Sequence, residues 1–152
     1  MEAKKKSSVL KVGIIGCGGI ANGKHMPSLA RLKTVEMVAF CDIIPEKAEK
    51  AAKEFGTSEA KVYSDYKQLL KNKSIDVIHI CTPNKSHADI TVDSLKAGKH
   101  VMCEKPMAKT AADAGRMVEA AKRTGKKLTI EYRFGGITVT KQFTEGERMV
   151  IP

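Results

Sequence analysis

The chain has 152 residues, 42% of them hydrophobic and 29% charged, and 27 Lys and Arg against 17 Asp and Glu give a formal charge of +10. That size admits one domain with its own core, the composition excludes a disordered chain, and strand-length apolar runs exclude a transmembrane helix and any membrane partner. The lysines are dispersed over polar helix positions and only 5% of residues are aromatic, so no specific nucleic-acid partner is expected, only weak polyanion attraction.

Met1–Ser8 is basic and polar and lacks the apolar centre of a signal peptide, which suits a cytoplasmic protein. The β-branched run Val9–Ile15 predicts a buried strand. Ile20–Leu32 predicts a helix, with a kink or late start where Pro27 would press on the carbonyl of Gly23. Glu36–Cys41 is the second strand. Pro45 opens a helix over Glu46–Phe55, and Gly56 ends it. A short strand at Val62–Tyr63 and a short helix at Asp65–Lys71 follow, then a strand at Asp76–Cys81. Ser86 with Asp89 predicts a capped helix running to Gly98. His100–Cys103 is the fifth strand, Thr110 with Asp113 caps a helix ended by Gly125, and Leu128–Tyr132 is the sixth. Strict alternation of this kind predicts an α/β fold, a doubly wound parallel sheet of the Rossmann type.

Cys17, Cys41, Cys81 and Cys103 each fall at or just past the end of a different strand, so they should gather on one edge of the sheet. Their spacing is not that of a zinc site, so no metal is expected, and unpaired thiols suit a reducing compartment. His79, inside a strand, reads as a core residue with one satisfied nitrogen, and His25 and His100 carry no signal of their own.

Gly16-Cys17-Gly18-Gly19-Ile20-Ala21 reads G-x-G-x-x-A, directly after a strand and opening a helix. Gly16 permits the tight turn, Gly18 lets backbone amides approach a pyrophosphate, and Ala21 allows close helix–strand packing. The helix N-terminus supplies unpaired N–H groups at Gly19 and Ile20 for the anion. Asp42 ends the second strand, where a carboxylate can accept from both adenosine ribose hydroxyls and would repel a 2′-phosphate. NAD is therefore expected over NADP. The alternative is that Asp42 only caps the next turn, and flavin and nucleotide-sugar sites also use such loops.

Two further stretches carry a resemblance. Thr82-Pro83-Asn84 with His87 follows the fourth strand, and Ala97-Gly98-Lys99-His100-Val101-Met102-Cys103-Glu104-Lys105-Pro106 spans the fifth and its loop. From about Val9 to Tyr132 the chain resembles the N-terminal half of the glucose–fructose oxidoreductase / inositol dehydrogenase / rhizopine-catabolism (Gfo/Idh/MocA) family. The resemblance implies that Thr82, Pro83 and Asn84 line the nicotinamide half of the groove, with His87 among the cofactor contacts. As a first-turn residue, His87 equally suits packing or capping. Glu104 and Lys105 would sit where cofactor meets substrate, with Lys105 the catalytic candidate that orients a sugar or polyol. Both segments lie at strand ends, the edge at which open α/β sheets bind ligands.

The sequence also departs from that family. Arg133 and Phe134 resemble the end of a Tyr-x-x-Arg-Phe signature with the two middle residues missing, and on that basis Arg133 joins the cofactor-binding set. The family's second, α+β substrate domain is not expected within these 152 residues. Residues 1–134 read as the dinucleotide-binding domain and 135–152 as a tail like the start of the missing one, with Val139–Glu145 as its first helix and Gly146 closing it. Ile137, Val139, Phe143, Met149, Val150 and Ile151 make the tail apolar, which predicts self-association or a mobile end beyond about Gly135. Two functions fit: the cofactor domain of an NAD-dependent sugar or polyol oxidoreductase, catalytically incomplete alone, or a non-catalytic NAD(H)-binding or interaction module.

Overall fold

Leu10–Ile15 forms β1, whose last four residues are buried, so the strand must be covered on both faces. The computed structural model of the chain describes residues 9–134 and 137–143, with the backbone alone for 132–134 and 137. After β1 a π-helical turn, Ala21–His25, runs into α1 (Met26–Ala30). The expected disturbance around Pro27 takes this form. Met26 donates to the carbonyl of Ala21, five residues back, and the widened turn relieves the crowding that proline imposes on an α-helical backbone.

β2 (Val35–Cys41) is followed by α2 (Pro45–Phe55), with Pro45 in the first turn as expected. β3 (Lys61–Tyr63) leads to α3 (Tyr66–Leu70), capped by Asp65 accepting from the Lys67 amide. After β4 (Val77–Ile80), a 3-10 turn at Asn84–Ser86 enters α4 (His87–Lys96). Here the expected capping box does not form. The Ser86 hydroxyl turns back to the Pro83 carbonyl at 2.8 Å, because the 3-10 turn puts that acceptor within reach. After β5 (His100–Cys103), α5 (Ala111–Thr124) is capped as predicted, Thr110 Oγ1 accepting from the Asp113 amide at 3.1 Å.

β6 (Leu128–Phe134) is followed by a second departure. Residues 137–143, expected to belong to a separate tail with a helix from Val139, form β7 (Ile137–Phe143). The run Ile-Thr-Val-Thr is β-branched throughout, and stiff β-branched side chains disfavour a helix and suit a pleated surface. β7 pairs antiparallel with β6, and Phe143, opposite Leu128, is buried in the main core. The sheet therefore continues past residue 134. Glu145, Gly146 and Met149–Ile151 lie outside the described residues.

The sheet order is β3-β2-β1-β4-β5-β6-β7, the first six strands parallel. One core packs Val12, Ile14, Met37 and Phe40 against Ala21, Met26, Ala48 and Ala51 of α1, α2 and the π turn. The other packs Ile78, Ile80, Val101 and Leu128 against α3, α4 and α5. Chain order reverses between β1 and β4, which opens a crevice at their carboxyl ends. No helix among the described residues is long and apolar enough to cross a membrane.

Candidate functional site

The loop after β1 is fixed by backbone packing. Gly16 has φ of +92°, and a Cβ there would stand 2.7 Å from the backbone carbon of Cys81. Only glycine fits that approach of loop to β4. Gly18 and Gly19 differ, since a Cβ on either would meet no atom within 4 Å. The space before them is open, and it is where a pyrophosphate would need to sit. Asn22 Nδ2 donates to the carbonyls of Cys17 (2.6 Å) and Gly18 (2.9 Å), which turns those oxygens toward the helix and away from an arriving anion.

Asp42 does more than either sequence reading assigned to it. Oδ1 accepts from the Ile44 amide at 2.9 Å, capping the next turn, and Oδ2 accepts from the Cys17 amide at 2.8 Å, tying β2 to the glycine loop. A carboxylate offers about four acceptor positions, so lone pairs remain for ribose hydroxyls. Gly16, Gly18, Gly19, Ile20, Asp42, Thr82 and Pro83 line one cleft of about 770 Å³, together with Ile43, Ile44 and Lys47. The donor set suits a dinucleotide: glycine amides for phosphates, a carboxylate for a ribose and apolar side chains for a base.

Glu104 and Lys105 line a second cleft of about 760 Å³, and Ile20 borders both. Asn84 is exposed on its 3-10 turn, and Arg133 is described by its backbone alone, within β6. His87 is 1% exposed, with Nδ1 2.8 Å from the Pro106 carbonyl and Nε2 2.8 Å from that of Thr82. This corrects its expected contact with cofactor. Both nitrogens are engaged and the ring is buried, so His87 fastens the loop after β4 to the loop after β5. Lys105–Pro106 is a cis peptide.

His25, without a signal in the sequence, is central to the second cleft. Its Nε2 bonds Glu104 Oε1, and its Nδ1 lies 2.9 Å from His79 Nε2. Glu104 Oε2 in turn accepts from the Lys105 amide at 3.1 Å. His79 is 5% exposed, and burial foremost, then His25, pushes its pKa down to about 3, so the imidazole is neutral. One nitrogen is satisfied, as expected of it. The spacing Ala21…His25 was the available clue, since residues four apart share a helix face and Ala21 faces the sheet. All four cysteines are free and buried at the strand ends, as the sequence implied. Burial pushes Cys17, Cys41 and Cys103 up to about 12, and Cys81 higher still.

Comparison with known proteins agrees with this arrangement. The profile of the Gfo/Idh/MocA oxidoreductase family, NAD-binding Rossmann fold, matches residues 10–132. Inositol 2-dehydrogenase of Salmonella typhimurium is 43% identical over 120 residues, 78% of this chain and 35% of that protein. D-glucoside 3-dehydrogenase of Escherichia coli is 35% identical over 145 residues, 95% of this chain and 41% of that protein. A 3-ketoreductase from Actinomadura kijaniata, solved with NADP and TDP-benzene, superposes with a TM-score of 0.74 at 28% identity, over 80% of this chain and 36% of that one. The chain thus spans well under half the length of the curated relatives it matches. On the match over residues 10–132, the order of the parallel strands and the glycine loop at their crevice, the chain belongs to the Gfo/Idh/MocA oxidoreductase family, through its NAD-binding Rossmann fold.

Proposed function

We propose that the first cleft binds NAD(H) in preference to NADP(H), and that the chain supplies the cofactor half of an enzyme acting on a sugar or polyol. The observation that carries the preference is Asp42 at the end of β2, inside the cleft and bonded to the glycine loop. Its fixed negative charge repels a 2′-phosphate and accepts from ribose hydroxyls. Lys47 lines the same cleft and is the residue that would answer a 2′-phosphate if that reading failed. Gly18 and Gly19 would present amides to the pyrophosphate, and Ile43 and Ile44 an apolar wall to adenine. The nicotinamide end would extend past Thr82 and Pro83 toward Glu104.

Bound NAD(H) supplies the hydride acceptor or donor. Lys105, exposed at the mouth of the second cleft, would orient a substrate hydroxyl and carry a proton to or from it. A reducing, cytoplasmic setting goes with four free thiols. The outer edge of β7, which pairs with no other strand among the described residues, is where two copies would associate. Light scattering on the chain and on a version ending at Phe134 tests this, and a monomer in both cases removes it.

Fluorescence titration tests cofactor choice. NADH should bind at least about tenfold more tightly than NADPH, and Asp42→Ala should narrow the gap. Equal affinities in the unaltered protein overturn the preference. Lys105→Met should leave NADH affinity within a few-fold, and a large loss of binding with the fold intact would remove Lys105 from the substrate side.

A further inference from the structure

We propose that His25, His79 and Cys81 form a binding site for a borderline divalent cation, Zn²⁺ above all, with one coordination position open to the second cleft. His79 and Cys81 are two residues apart on and just past β4, so they share the face that the π turn covers with His25. One donor atom from each of the three lies within 4.8 Å of the others, and they are the one such group of three among the described residues. Zinc bonds of about 2.0–2.3 Å put tetrahedral donors roughly 3–4 Å apart. Closing on an ion therefore asks for a small parting of the two histidines, now 2.9 Å apart, and a small approach by the thiol.

The surroundings suit a cation. His79 is held neutral by burial, and neutral imidazole is the ligating form. Glu104 bonds His25 Nε2, the carboxylate–histidine pairing that fixes a ligand's tautomer and raises its basicity. That leaves His25 Nδ1, the nitrogen facing His79, for the ion. Burial keeps Cys81 protonated, so binding exchanges its proton: the S–H bond breaks, a sulfur–metal bond forms and H⁺ leaves to solvent. The thiolate and the Glu104 carboxylate then balance the dication. His25 and His79 both border the second cleft, from which water or a substrate oxygen can take the fourth position. Spacing alone does not reveal the site, because two ligands sit on and just past β4 and the third lies 54 residues before His79.

Cobalt is the probe. The untagged full chain, freed of metal by chelator and kept in a non-thiol reductant, is titrated with Co²⁺. One equivalent should produce a thiolate-to-cobalt charge-transfer band with tetrahedral visible bands, release a proton and lose its colour to Zn²⁺. Cys81→Ala should abolish the charge-transfer band, and Cys41→Ala should keep it. His79→Val should weaken binding by about tenfold or more. Folding of each variant is checked by circular dichroism. The proposal fails if the unaltered folded chain gives no charge-transfer band at one equivalent. It fails equally if the band survives in Cys81→Ala or, should that variant not fold, if His79→Val binds cobalt as tightly as the parent.

Discussion

The glycine loop after β1 and the paired loops after β4 and β5 face the same edge of the sheet, but the first is fixed by backbone and the second by side chains. Gly16 is wedged against the Cys81 backbone, and the Asp42 carboxylate holds the Cys17 amide. Across the crevice, His87 spans the carbonyls of Thr82 and Pro106, and His25 links Glu104 to His79. Damage to the first region should therefore act through sterics, and damage to the second through unsatisfied polar groups and protonation.

The largest effect is expected at Gly16. Gly16→Ala combines a backbone conformation that a side chain resists with a clash against main-chain atoms, and should lower stability by about 2–5 kcal/mol in urea unfolding. A loss under 1 kcal/mol would show a loop that gives way, and the contrast would collapse. Next comes His87→Ala, which leaves a cavity and removes the ring that bridges the carbonyls of Thr82 and Pro106. It should lower stability by about 2–4 kcal/mol and loosen both loops, read as faster amide exchange after Pro83 and Pro106.

Protonation sharpens the comparison further. His79 titrates near its ordinary value when unfolded and at about 3 when folded, so the unfolded chain binds the extra proton between those values. The stability from its neutral form is complete above the unfolded pKa and is lost as pH falls toward the folded one. With chelator present, the parent should lose about 1.4 kcal/mol per pH unit more than His79→Val between about pH 6 and pH 4. Parallel curves would mean that His79 is not buried as described. The smallest effect on stability is expected at Gly18→Val, within about 0.5 kcal/mol, because its Cβ meets only open space. Its NADH affinity should nonetheless fall about tenfold or more. Two glycines of one motif then separate, one holding the fold and the other leaving room for ligand.

The same contrast accounts for what could be read from the sequence. Backbone constraints leave residue-type signatures at fixed short spacing, so the alternation of strands and helices, Gly16, Gly18 and the Asp42 position were legible. The roles of His25 and His87 depend on partners 79 and 19 residues away, and no local pattern records such contacts. Ser86 misled because its hydroxyl donates to the nearby Pro83 carbonyl and accepts from no helix amide. At Val139 a family resemblance predicted a helix, and β-branched propensity with a free edge on β6 made a strand.

The four buried thiols turn the edge into its own clock. Protonated and shielded from solvent, Cys17, Cys41, Cys81 and Cys103 should ignore an alkylating reagent while the strand ends stay closed. Each becomes reactive only when its own strand end parts from its neighbours. A timed pulse of reagent followed by mass spectrometry would therefore give the order in which β1, β2, β4 and β5 open, without any introduced label. Because Cys17 lies inside the glycine loop and Cys103 directly before Glu104, the fixed-backbone and fixed-side-chain regions would be timed separately in one sample.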